Sequence, residues 1–120
     1  MNILVLDDDQ SIHAYYRYVL KHIKGVGIIT MSHDMVSFQR NLRMNPYHVI
    51  VCDIHMEPIS GPDILRACKD EIFGKEIIML SCADALKDVG EQLASEGVNI
   101  RACLQKPLVP EDLAELLECN

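Results

Sequence analysis

The sequence predicts an α/β fold, a five-stranded parallel sheet covered by helices on both faces, within one domain over residues 1–120. Three observations carry that prediction. Runs such as Ile3-Leu4-Val5-Leu6 and Val49-Ile50-Val51-Cys52 are continuously apolar rather than alternating, the mark of strands buried on both sides. Longer stretches between them repeat apolar residues every three or four positions, the period of an amphipathic helix. With 120 residues, 49% of them hydrophobic, the chain suits one core.

The first strand is expected over residues 3–6, stopped by Asp7-Asp8-Asp9. From Ser11 to Ile23 the residues Ile12, Tyr15, Tyr16, Val19, Leu20 and Ile23 share one helical face, and Gly25 supplies a stop. The β-branched run 26–31 predicts the second strand. Asp34 is placed to cap a helix over 35–44, which Asn45-Pro46 ends. Residues 49–52 form the third strand. After it Gly61-Pro62 breaks the chain, with Pro62 suited to a first helical turn and Ile64, Leu65 and Cys68 facing inward. Residues 76–80 give the fourth strand, 85–95 a helix stopped by Gly97, and 99–104 the fifth strand. Pro110 opens a last helix carrying Leu113, Leu116 and Leu117. Five strands alternating with five helices at this length predict the flavodoxin-like doubly wound (βα)5 order 2-1-3-4-5, with right-handed crossovers. No repeat, low-complexity segment or linker interrupts the pattern.

Composition narrows the function. A net charge of −7 argues against direct contact with nucleic acid or an anionic membrane. The five cysteines are odd in number and form no C-x-x-C pair; Cys52, Cys82 and Cys103 sit in apolar runs. Disulfides and zinc are therefore not expected, and a reducing cytoplasm is. No signal peptide is expected at the start, and no apolar run approaches the ~20 residues of a membrane span.

In an open parallel sheet, ligands bind beyond the C-terminal strand ends, where the strand order reverses. Here that point lies between the first and third strands. Asp7-Asp8 end the first strand, Asp53 the third and Ser81 the fourth, and the fifth runs into Lys106. Two like charges ~4 Å apart repel by roughly 4 kcal/mol at an effective dielectric near 20. A hard divalent cation removes that cost, and Mg²⁺ suits a few carboxylates plus water. With the Lys106 charge and the Ser81 hydroxyl, the set makes a site for a phosphoryl group, which one carboxylate can attack.

At these residues the chain resembles the receiver (response-regulator) domain of two-component signalling. The motifs are VLDDD, VCDIHMEPISG, LSCAD and QKPL, each at a strand end and in order along essentially the whole chain. The resemblance implies that Asp53 is the phosphoacceptor and that Asp8 binds Mg²⁺ directly. It further implies that Asp7 assists through the ion or its water and that the backbone carbonyl of His55 is another metal ligand. Ser81 would hydrogen-bond the phosphoryl oxygen, and Lys106 would pair with it, before a cis bond to Pro107. The implied partners are a sensor histidine kinase or phosphotransfer protein, and an output domain or partner protein. No free-standing substrate turnover is implied, only the domain's own phosphorylation and dephosphorylation.

The chain also departs from the family pattern. Glu57 intervenes between Met56 and Pro58, adding a negative charge near the rim, while Gly61 keeps its offset. Cys103 stands where the family has an aromatic switch residue, and Leu108 replaces a common Phe. These changes motivate an alternative: a degenerate receiver acting as a phosphorylation-independent interaction module. A small Mg²⁺-dependent phosphohydrolase ranks last, since no cap domain or substrate pocket is evident. His55 and Ala83 flank the phosphoryl position and bear on water access. Tyr15, Tyr16 and Tyr18 are expected to pack the first helix, Met31, Met35, Met44 and Met79 to fill core or near-core space, and His13 has no assigned role. The sequence leaves homodimerisation and the output domain open. The segment 104–108 resembles receivers joined to cyclic-di-GMP phosphodiesterase domains.

Overall fold

A computed structural model describes residues 1–81, 86–106 and 108–118. The Ala85 start of the fourth long helix, Cys82, Ala83, Cys119 and the Lys106–Pro107 bond lie outside the described residues. The strands are β1 (Ile3–Leu6), β2 (Ile29–Ser32), β3 (Val49–Asp53), β4 (Glu76–Ser81) and β5 (Ile100–Gln105). The helices are α1 (His13–Lys21), α2 (Met35–Met44), α3 (Gly61–Ala67), α4 (Leu86–Ser95) and α5 (Pro110–Glu118). All five strands are parallel, in the expected order β2-β1-β3-β4-β5.

The continuous apolar runs serve two cores. Leu4, Leu6, Ile50 and Cys52 face one cluster with Phe38 of α2, Ile64 and Leu65 of α3 and Leu93 of α4. Their neighbours Ile3, Val5, Val49 and Val51 face the other, with Tyr16, Val19 and Leu20 of α1 and Leu113 and Leu117 of α5. Alternate residues point to opposite faces, so a strand covered on both sides must be apolar at every position.

Boundaries move for local reasons. Asp9 caps a short 3-10 turn over Gln10–Ile12, accepting from the Ser11 N–H at 3.1 Å, so α1 begins at His13 rather than Ser11. The Ile28 N–H goes to the Asn2 side chain at 3.0 Å, and the ladder of β2 starts only at Ile29. Asp34 caps α2 through the Ser37 N–H at 2.8 Å, with the Ser37 hydroxyl returning the bond as a capping box. Ser60 caps α3, and Pro62 sits in its first turn. The Glu57–Pro58 peptide is cis. Among the described residues no helix is long and apolar enough to cross a membrane.

Candidate functional site

Three acids that follow one another along the chain have three different fates. Asp7 is fully buried at the end of β1, Asp8 is half-buried on the rim, and Asp9 is exposed as the cap of the 3-10 turn. Ser11, through its hydroxyl and its N–H, holds the Asp9 carboxyl below its ordinary value. Asp53, the last residue of β3, is 5% exposed and lies in register with Leu80 of β4.

The reversal of strand order between β1 and β3 brings these carboxylates together. Oxygens of Asp7, Asp8 and Asp53 all lie within 4.8 Å of one another. Lys106 reaches in from the end of β5, its Nζ 3.1 Å from Asp7 Oδ2 and 3.3 Å from Asp53 Oδ1. Its own N–H bonds the Ser81 carbonyl at 2.8 Å, which ties the ends of β4 and β5. Ser81 is buried one residue past the β4 partner of Asp53.

Three carboxylates face one ammonium, so the pocket keeps excess negative charge. Burial, and then the charge of Asp7, pushes the Asp53 carboxyl above its ordinary value, with Lys106 pulling the other way. For Lys106, burial favours the neutral amine, but Asp53 and Asp7 together outweigh it and hold the ammonium above its usual pKa. An all-oxygen acidic set with an unbalanced charge fits a hard divalent cation such as Mg²⁺ and suits neither zinc nor a soft metal.

Two supports come from the β3–α3 loop. The Glu57 N–H donates to Asp8 Oδ2 at 3.1 Å, so this departure from the family pattern contributes a main-chain donor while its side chain is exposed. The N–H of His55 approaches Asp53 Oδ1 at 3.4 Å, and its side chain faces solvent. At Gly61 a Cβ would run into the Asp53 carbonyl oxygen, so the first residue of α3 packs directly on the backbone of Asp53.

Sequence reasoning missed two contributors. Tyr16, expected only to pack α1, also donates its hydroxyl to Asp7 Oδ2 at 2.8 Å. Burial, reinforced by Asp7, pushes that phenol far above its ordinary value, so it remains a donor. His13 places Nε2 2.9 Å from the Asp7 carbonyl, which requires Nε2–H as donor. The three tyrosines divide: Tyr16 is buried, Tyr18 is 61% exposed, and Tyr15 is partly exposed and donates to the Leu108 carbonyl at 2.6 Å.

The family model described as the response regulator receiver domain matches residues 3–118. The chain is 25% identical to a response regulator receiver domain protein from Clostridium thermocellum, covering 98% of this chain and 91% of that one with a TM-score of 0.81. It is 24% identical to the receiver domain of a Francisella response regulator, covering 98% and 93% with a TM-score of 0.78. It is 19% identical to the signal receiver domain of an HD domain-containing protein from Pseudomonas fluorescens, covering 98% and 91% with a TM-score of 0.83. No curated protein matches the chain.

Proposed function

Because this chain belongs to the response regulator receiver family, a family of signalling domains, we propose that it accepts a phosphoryl group on Asp53 from the phosphohistidine of a sensor histidine kinase or phosphotransfer protein. The observation that carries the reading is the convergence of Asp7, Asp8, Asp53 and Lys106 from three separate strand ends. Asp8, Asp53 and the His55 carbonyl would hold Mg²⁺, with Asp7 assisting. When bound, the ion neutralises phosphoryl oxygens during transfer.

The chain's own groups do the rest. An Asp53 carboxylate oxygen bonds to phosphorus, the phosphorus–nitrogen bond breaks, and its electron pair stays on the donor imidazole, which holds a proton. Lys106 pairs with a phosphoryl oxygen as charge builds there, and the Ser81 hydroxyl donates to another. Water then attacks phosphorus, the phosphorus–oxygen bond to Asp53 breaks with its electron pair returning to the carboxylate, and inorganic phosphate leaves carrying the water's oxygen and, after loss of a proton to solvent, its other proton. Residues 1–120 act as one receiver domain in a reducing cytoplasm. Phosphorylation biases a surface read by an output domain or partner protein.

Mass spectrometry after incubation with Mg²⁺ and a small phosphodonor tests the reading. One phosphoryl group mapping to Asp53 is expected, and an unmodified Asp53 contradicts it. A second reading, a phosphorylation-independent interaction module, is favoured by Cys103 packing directly beneath Gly90 of α4, where the family has an aromatic switch residue. Undiminished partner binding by Asp53→Ala would select it.

A further inference from the structure

Asp7 is held from every side. Its carbonyl accepts from His13 and its N–H bonds the Ser32 carbonyl at 3.0 Å, so the backbone is fixed. Its Oδ1 accepts the Asp9 N–H at 2.9 Å. Its Oδ2 accepts both the Tyr16 hydroxyl at 2.8 Å and the Lys106 ammonium at 3.1 Å. A carboxylate oxygen offers two lone pairs, so Oδ2 is filled by protein donors alone. Asp7 and Tyr16 are 0% and 2% exposed.

We propose that Tyr16 is a positioning residue of the acidic pocket, whose hydroxyl aims the Asp7 carboxylate at Lys106 and weakens that carboxylate's hold on a divalent cation. The inference rests on the metal-assisted reading of the site. A buried hydroxyl bonded to an anion stabilises the anion in the cation-free protein. An entering cation competes with that stabilisation. Asp8 and Asp53 are thereby left as the principal ligands, while Asp7 serves to anchor the lysine. No feature of the sequence distinguishes Tyr16 from a packing tyrosine, because ring and hydroxyl act on different partners: the ring joins the core with Val19 and Leu20, and the oxygen enters the site.

Tyr16→Phe retains the ring and withdraws the donor. Titration with Mg²⁺ alone, followed by amide NMR shifts around Asp8 and Asp53, should show about three- to ten-fold tighter binding than the parent. Tyr16→Leu, which also lacks the hydroxyl, should change affinity in the same direction. Val19→Ala opens space on the same buried helix face without removing a bond to Asp7, and should leave Mg²⁺ affinity unchanged. Tightening in a variant that has lost a buried bond is opposite to what general loosening of the site produces. If the parent binds Mg²⁺ and the two Tyr16 variants bind it equally or more weakly, the proposal is overturned. A parent that binds no Mg²⁺ overturns both the metal-assisted reading and this proposal.

Discussion

Gly61 and Gly90 each leave room where a Cβ would collide, but the collisions are of different kinds. At Gly61 the nearest obstacle, ahead of the Cys52 Sγ, is the carbonyl oxygen of Asp53, part of the backbone that ends β3. At Gly90, on α4, it is the Sγ of Cys103, a side chain on β5. One contact fixes the backbone of Asp53. The other seats a helix on a small thiol at a place where the family carries an aromatic ring. The end of β3 is therefore packed against backbone at Gly61, whereas the α4–β5 contact at Gly90 is set by side-chain size.

The contrast can be broken at its rigid end. Gly61→Ala should cost about 3 kcal/mol of stability, because the added methyl meets a backbone oxygen that cannot swing away. Chemical denaturation would measure the loss, and phosphoryl acceptance at Asp53 should fall with it. A loss below about 1 kcal/mol would mean that the β3–α3 loop yields.

At the adjustable end, Gly90→Ala should cost about 1–2 kcal/mol through crowding of Cys103, partly offset by the better helix propensity of alanine. Cys103→Ala in the same chain should restore most of that loss, and a double-mutant cycle would register the coupling. Absence of coupling would remove the claim that side-chain size sets this packing.

The smallest effect concerns charge. Burial and Asp7 raise the Asp53 carboxyl in the folded protein, so ionising it opposes folding. The penalty is absent below the unfolded carboxyl value, near pH ~3.9. It grows as pH rises and is complete above the raised folded value. Without divalent cation, Asp53→Asn should therefore be more stable than the parent at neutral pH, and the gain should disappear in acid. Unfolding curves across that range check the sign, and a gain confined to acid would contradict it.

Much of this was legible in the sequence because the signals were redundant. Asp34 marked the start of α2, and Asn45-Pro46 its end, since cap and breaker act locally. The parallel sheet followed from doubly buried runs and the strand order from five alternating strand–helix units at this length, and with them the meeting of Asp7, Asp8, Asp53 and Lys106. What escaped depended on atoms that periodicity does not describe. Tyr16 counted as apolar although its hydroxyl belongs to the site, and Glu57 counted as a charge although its N–H makes the contact with Asp8. Met44, expected near the core, is 68% exposed at the end of α2, where the helical stripe has already turned from the sheet. The late start of β2 depended on Asn2, a residue far from it in the chain.

In the function proposed for this chain, four side chains from distant strand ends form one cation-dependent phosphoryl pocket. Amide NMR spectra recorded with Mg²⁺ alone, beryllofluoride alone and the two together test it most directly. Shifts at Asp8, Asp53 and Lys106 should reach full size only with both present and vanish in Asp53→Ala. Spectra unchanged under all three conditions would contradict it.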